Sequence, residues 1–151
     1  MSQTVIKVQQ EKFDIGSETE ALRADEASCG AIVTFTGIVR ELATGESLEK
    51  MFLEHYPGMT EKALASIVEQ ARARWPLGAV TVIHRVGELS PNENIVFVGV
   101  ASAHRKAAFA ASQFIMDYLK RDAPFWKKEI TASNSDWVAQ KNSDLDAANE
   151  W

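Results

Sequence analysis

The apolar positions of this chain change period several times, and each change predicts an element. Val5–Val8 is apolar enough for a short first strand. Ser17-Glu18-Thr19-Glu20 has capping-box spacing before Ala21-Leu22, which predicts a short helix. Ala31–Arg40 is rich in β-branched residues and reads as a strand, with Gly37 the expected bulge or point of close approach. Glu41–Lys50 contains Thr44-Gly45-Glu46-Ser47 and reads as a mobile loop. A strand resumes at Met51–Tyr56 and stops at Pro57-Gly58. Leu64, Ile67, Val68, Ala71 and Trp75 then recur at helical spacing behind a Thr60 cap. Pro76-Leu77-Gly78 ends that helix.

Alternation returns over Ala79–Val86, with Val80, Val82, His84 and Val86 on one side. Ser90-Pro91-Asn92-Glu93 is a turn, and Asn94–Ser102 is apolar enough for a central strand. Ser102 is placed to cap a long helix through Arg121, whose buried stripe is Ala108, Ala111, Phe114, Ile115, Tyr118 and Leu119. Pro124 prevents its continuation. Trp126–Thr131 reads as a last strand, and 133–151 as a polar, partly helical C-terminal extension. The order β-β-α-β-β-α-β, with hairpin-like neighbours flanking two helices, predicts an α+β fold with an antiparallel sheet. Residues 1–151 are expected to form one domain.

Composition narrows the function classes. Hydrophobic residues make up 46% of the 151 and charged residues 25%, an ordinary globular mixture. A formal net charge of −5 argues against a general nucleic-acid or anionic-membrane binder, so any cationic site is built locally against an acidic background. Cys29 is the single cysteine, which fits a reducing compartment. No secretory leader is evident, and the apolar runs are strand-sized, so a cytoplasmic location is the expectation. Neither helix opens with a GxGxxG or P-loop pattern, and no cofactor is expected. His55, His84 and His104 lack metal-ligand spacing, so no metal is expected.

The chemistry concentrates near the C-terminal end of the long helix. Lys120 falls in its last turn and Lys127 just beyond the Pro124 break. A cation at that end complements the helix dipole, which is the plain structural explanation. Phe125 and Trp126 change the balance, because desolvating surface and a second lysine both make an ammonium easier to deprotonate. Such a pair suits one neutral amine beside one ammonium that binds an anion. Lys128 points the other way along a strand and reads as a solvated residue. Ser102-Ala103-His104-Arg105 places cations at a helix N-terminus, against the dipole. They either hold a phosphate or carboxylate there, or turn outward into solvent or across a subunit boundary. Arg40 ends its strand close to Gly37, where a ligand has room to approach the backbone.

These residues belong to longer strings. Val33-Thr34-Phe35-Thr36-Gly37, Leu53-Glu54-His55-Tyr56-Pro57-Gly58-Met59, Arg74-Trp75-Pro76-Leu77-Gly78 and Val82-Ile83-His84-Arg85 resemble the large, catalytic subunit of molybdopterin synthase, the MoaE family. So do Ser102-Ala103-His104-Arg105, Met116-Asp117-Tyr118-Leu119-Lys120 and Ala123-Pro124-Phe125-Trp126-Lys127. The resemblance runs through nearly the whole chain in order. It implies an α/β-hammerhead fold and an enzyme that installs two dithiolene sulfurs on cyclic pyranopterin monophosphate. The implied sulfur donor is the C-terminal Gly-Gly thiocarboxylate of a small ubiquitin-like subunit. The implied assembly is a central homodimer with one small subunit at each end.

Carried over by motif, the resemblance implies Lys120 and Lys127 as catalytic. It implies Ile38, Val39, Arg40, His104, Arg105, Lys128, Glu129, Phe35 and Met116 as substrate-binding, Phe35 and Met116 lining the pocket. His104 and Arg105 are expected to reach a neighbouring protomer's site. Two positions depart from the family's pattern: Ile38 stands where a basic residue is expected, and Lys141 where arginine is. Two competing readings remain. One is a non-catalytic α+β module that holds an anionic metabolite. The other is a sulfurtransferase carrying persulfide on Cys29.

Overall fold

The computed structural model describes residues 3–23, 27–41, 48–131 and 135–151. In chain order the elements are β1 (Thr4–Gln9), α1 (Ile15–Ala21), β2 (Ala31–Ile38), β3 (Leu48–His55), α2 (Met59–Arg74) and β4 (Val80–Arg85). There follow β5 (Gly87–Leu89), β6 (Asn94–Ser102), α3 (Arg105–Asp122), β7 (Phe125–Thr131), β8 (Ser135–Val138) and α4 (Asn142–Asn149). The expected β-β-α-β-β-α-β order is present as β2-β3-α2-β4-β6-α3-β7, with β1, α1, β5, β8 and α4 filling it out. The strands form two four-stranded sheets, β1-β4-β6-β2 and β5-β3-β7-β8. Every pairing is antiparallel except β1 beside β4.

The first sheet carries the core on both faces. On one, Leu64, Ile67, Val68 and Ala71 of α2 and Ala111, Phe114, Ile115 and Leu119 of α3 pack on Val80, Val82, Val96, Val98 and Val100. On the other, Leu22, Ile83, Phe97 and Ala101 pack with Phe13, Cys29 and Ile32. β4 is therefore buried along its whole length, Thr81, His84 and Arg85 included. Its alternating sequence predicts one buried side. The second face is covered by the segment around α1, whose contribution is nonlocal. A third cluster (Val39, Met51, Leu53, Val86 and Leu89) joins the two sheets.

Several local expectations shift. The cap of α1 is Asp14, whose carboxylate accepts the Gly16 N–H at 3.0 Å, so Ser17–Glu20 lie inside the helix. Gly58, at φ 83°, caps α2, and Thr60 sits buried in the first turn. Its hydroxyl accepts the Tyr56 N–H at 3.1 Å and donates to the Pro124 carbonyl at 3.3 Å. Ser102 ends β6 and donates to the Pro76 carbonyl at 2.9 Å, leaving His104 as the cap of α3. Leu48–Lys50, expected in the loop, are strand residues paired with β7. The remainder of that loop, 42–47, lies outside the described residues, as do 132–134.

β2 ends at Ile38, two residues before Arg40, and the register shifts between Gly37 and Ile38. The bulge at Gly37 is as expected. A Cβ there would stand 2.5 Å from the Val96 side chain, so the two strands close up only over a glycine. The extension is ordered by contacts: β8 adds to β7, and Ala148 of α4 is buried. Trp151 meets Trp75 and Phe114 edge-on, and its indole N–H donates to Asp117 at 2.6 Å.

Candidate active site at the α3–β7 corner

α3 stops at Asp122 because Pro124 cannot continue it, and the chain turns sharply into β7. The Ala123 N–H still reaches the Leu119 carbonyl at 3.1 Å, and the Phe125 N–H reaches back to Ala123 at 2.9 Å. The Thr60 hydroxyl ties Pro124 from outside. From inside, the His84 ring lies against Phe125 with centroids 4.0 Å apart and planes 24° from parallel. This tied corner brings Lys120 and Lys127 together from two different elements.

Lys120 lies among cations. Burial lowers its pKa most, with Lys127, Lys141 and Arg40 adding to the fall and Asp144 of α4 opposing it. The lysine as a whole remains exposed in the isolated chain, so a ligand can reach the amine. The Gln140 amide donates to the backbone carbonyls of Lys120 and Arg121, capping the end of α3 with the segment before α4. Arg121 is held by Asp122 at 2.6 and 2.9 Å and stays out of the cluster.

Along β7 the side chains alternate. Lys127 is half-buried opposite Leu53 and Val138, and Glu129 shares its face opposite Met51. Lys128 takes the other face, opposite Phe52 and Trp137, with its ammonium 5.7 Å from the Trp137 ring. That placement matches the strand alternation and sets Lys128 apart from the lysine pair. Met116 is half-buried one turn before Lys120 on α3.

Arg40 is exposed and joins the cluster through its effect on Lys120. Its neighbour Val39 is buried, with its N–H bonded to the Glu93 carbonyl at 2.9 Å and its own carbonyl accepting the Asn92 N–H at 2.7 Å. Val39 thus anchors Arg40. Ile38 is 52% exposed and Phe35 42%, both on the edge strand β2. His104 and Arg105 are exposed at the opposite end of α3. Fifteen residues at a helical rise of 1.5 Å put Arg105 roughly 22 Å from Lys120. One chain does not bring these two into the lysine cluster.

His84, Thr60, Gln140 and Asp144 also contribute to the corner, and sequence pattern alone marks none of them as a site residue. His84 offered one signal, a polar residue in an otherwise aliphatic stripe. Burial pushes its pKa down to about 4, with smaller contributions from Lys120 and His55. Its Nδ1 lies 2.8 Å from the Arg85 carbonyl, which makes Nδ1 the protonated nitrogen of a neutral ring.

A family model described as MoaE protein matches residues 8–122. The chain belongs to the MoaE family. It is 58% identical over 151 residues to the molybdopterin synthase catalytic subunit of Escherichia coli, covering all of both chains. The molybdopterin cofactor biosynthesis protein E of Burkholderia multivorans superposes with a TM-score of 0.83 at 46% identity, covering 99% of this chain and 97% of that one. A chain from a complex of subunits 1 and 2 of the Helicobacter pylori molybdopterin-converting factor shares the fold, with a TM-score of 0.74 at 17% identity. The α+β architecture is thus that of solved MoaE structures. The family model stops at Asp122, so the corner itself and α4 are matched through the full-length relatives.

Proposed function

We propose that this chain is the catalytic subunit of a molybdopterin synthase. It moves sulfur from the C-terminal thiocarboxylate of a small ubiquitin-like subunit to cyclic pyranopterin monophosphate, and the product is the molybdopterin dithiolene. The observation that carries the reading is the convergence of Lys120, Lys127 and Arg40 at one reachable corner of a net-acidic chain. Full-length similarity to catalytic subunits supports it.

The substrate is a phosphate-bearing anion, and a local cationic cluster answers that charge. Attack of the thiocarboxylate sulfur on a pterin side-chain carbon requires proton transfer and stabilisation of developing charge. Lys120, whose amine loses its proton more readily than an ordinary lysine's, takes the acid/base role beside the partner's C-terminus. Lys127, with Glu129 on the same face, orients the pterin and offsets charge. Arg40 binds its anionic part, and Phe35, Ile38 and Met116 supply apolar contact. Lys128 serves the opposite face beside Trp137 and reaches the pterin least directly.

His104 and Arg105 act in the site of a second copy, which their distance from Lys120 favours. The working assembly is then a homodimer carrying two small subunits. A partner subunit agrees with the name of the Escherichia coli relative and with the two-subunit complex of the distant Helicobacter pylori fold relative.

The decisive experiment mixes the purified protein with a thiocarboxylated partner and the cyclic pterin and looks for the dithiolene product by mass spectrometry. Its formation is the expected result. Its absence, with both partners verified intact, overturns the assignment.

A further inference from the structure

Behind the lysine corner lies a histidine to which the proposed reaction gives no part. His84 is 5% exposed, one residue from the end of β4, and its ring is flat against Phe125. We propose that His84 is a positioning residue for the two-lysine corner: its tethered, uncharged ring seats Phe125 and so fixes where β7 begins and how Lys127 meets Lys120. The inference rests on the reading of Lys120 and Lys127 given above and deepens it.

Three properties of the position narrow the residue type. The ring must be flat to cover Phe125 at 4.0 Å, which no aliphatic side chain provides. It must be held in orientation, and the Nδ1–H bond to the Arg85 carbonyl at 2.8 Å does this. It must carry no charge, because Lys120 on α3 and His55 on β3 both lie within electrostatic reach. The neighbouring Arg85 guanidinium is already occupied by the carbonyls of Gln10 and Asn94, with Glu93 at 3.8 Å. A neutral imidazole meets all three conditions. The Phe125 ring stacks on that imidazole, while the Thr60 hydroxyl holds the Pro124 carbonyl. Loosening the stack therefore leaves the start of β7 to its ladder with β3 and to the packing of Phe125 on the third cluster, a looser seat that admits water beneath Lys120.

The test uses the full chain with His84→Phe, His84→Asn, Phe125→Leu and the His84→Asn/Phe125→Leu double variant. Two readouts are taken: the pH midpoint of Lys120 acylation, followed by mass spectrometry without any partner, and kcat and KM in the complete assay. His84→Phe keeps a flat, uncharged ring but loses the tether to the Arg85 carbonyl, so its midpoint should fall between that of wild type and that of His84→Asn. His84→Asn and Phe125→Leu should each raise the midpoint toward that of an ordinary lysine, a rise of one unit leaving about tenfold less neutral amine at a fixed pH. Each should lower kcat with little change in the KM for the pterin, and the double variant should add little to either single one.

A His84→Asn protein with native near-ultraviolet dichroism and the wild-type midpoint overturns the proposal, as do fully additive effects in the double variant. If His84→Asn does not fold, Phe125→Leu decides, and a wild-type midpoint there also overturns it. Midpoint shifts as expected, with no dithiolene product even from wild type, would uphold the role of His84 and reject the assigned reaction.

Discussion

Each lysine has a distinct expected signature. Lys120→Ala removes the acid/base group, so turnover with a thiocarboxylated partner should fall by about 10²–10⁴-fold, read as initial rate of dithiolene formation. Wild-type turnover would end that assignment. Lys127→Ala should act mainly on the pterin, raising its KM about tenfold if one charge-assisted contact is lost. Cys29 packs with Phe97 and Leu22 on the face of the first sheet opposite α3, far from the corner in connectivity. Cys29→Ala should therefore leave dithiolene formation unchanged, whereas a persulfide carrier at Cys29 would lose it entirely. At this scale much was legible in the sequence. Two lysines around a proline-stopped aromatic corner are visible in one string, and Gly37 carried its own steric reason. That Arg40 and Asp144 join them was not legible in spacing, because those contacts cross between elements.

Among the elements, β4 makes the clearest prediction, through the titration of His84. Its ordinary pKa of 6.5 applies in the unfolded chain, and burial lowers it to about 4 in the native one. Above pH 6.5 both states are neutral and the full stability is present. As pH falls toward 4 the unfolded chain takes up a proton that the native ring refuses, and stability is lost. Between pH 7 and 5 the loss from this group is about 2 kcal/mol. Urea unfolding across that range should show it in wild type and not in His84→Phe; equal slopes in the two proteins would refute the assignment. Local patterning foretold β6, from its apolar run, and most of the buried stripe of α3, from helical spacing, although Tyr118 of that stripe is only half-buried. It misjudged β4, where Phe13 and Leu22 cover the second face, and it misplaced the caps. Thr60 and Ser102 have capping side chains, but distant carbonyls at Pro124 and Pro76 claim their hydroxyls.

For the whole molecule, the length of α3 bears on the proposed sharing of sites between two copies. If Lys120 of one copy works with His104 of another, then Lys120→Ala and His104→Ala proteins should each be nearly inactive alone. Mixed and allowed to exchange subunits, they would form half mixed dimers, each with one intact site. Activity should return to about a quarter of wild type. No recovery, with exchange verified, would place both residues in one copy's site or remove His104 from catalysis. The resemblance supplied the expectation of shared sites, and the 18-residue helix supplies its geometric reason.

The tryptophans fall into two optical populations. Trp75 and Trp151 meet edge to face, both also against Phe114, and each is half-buried against the core. Trp126 and Trp137 stand 48% and 58% exposed on β7 and β8, on the face that carries Lys128 rather than Lys127. The first pair should emit toward the blue and follow unfolding; the second should emit toward the red and be quenched by added iodide. A partner that also covers the Lys128 face of β7 would shield the second pair and leave the first untouched, whereas a ligand confined to the Lys127 face would change neither. The protein thus carries two dyes of its own, one reporting whether it is folded and one whether a partner has covered the outer face of β7.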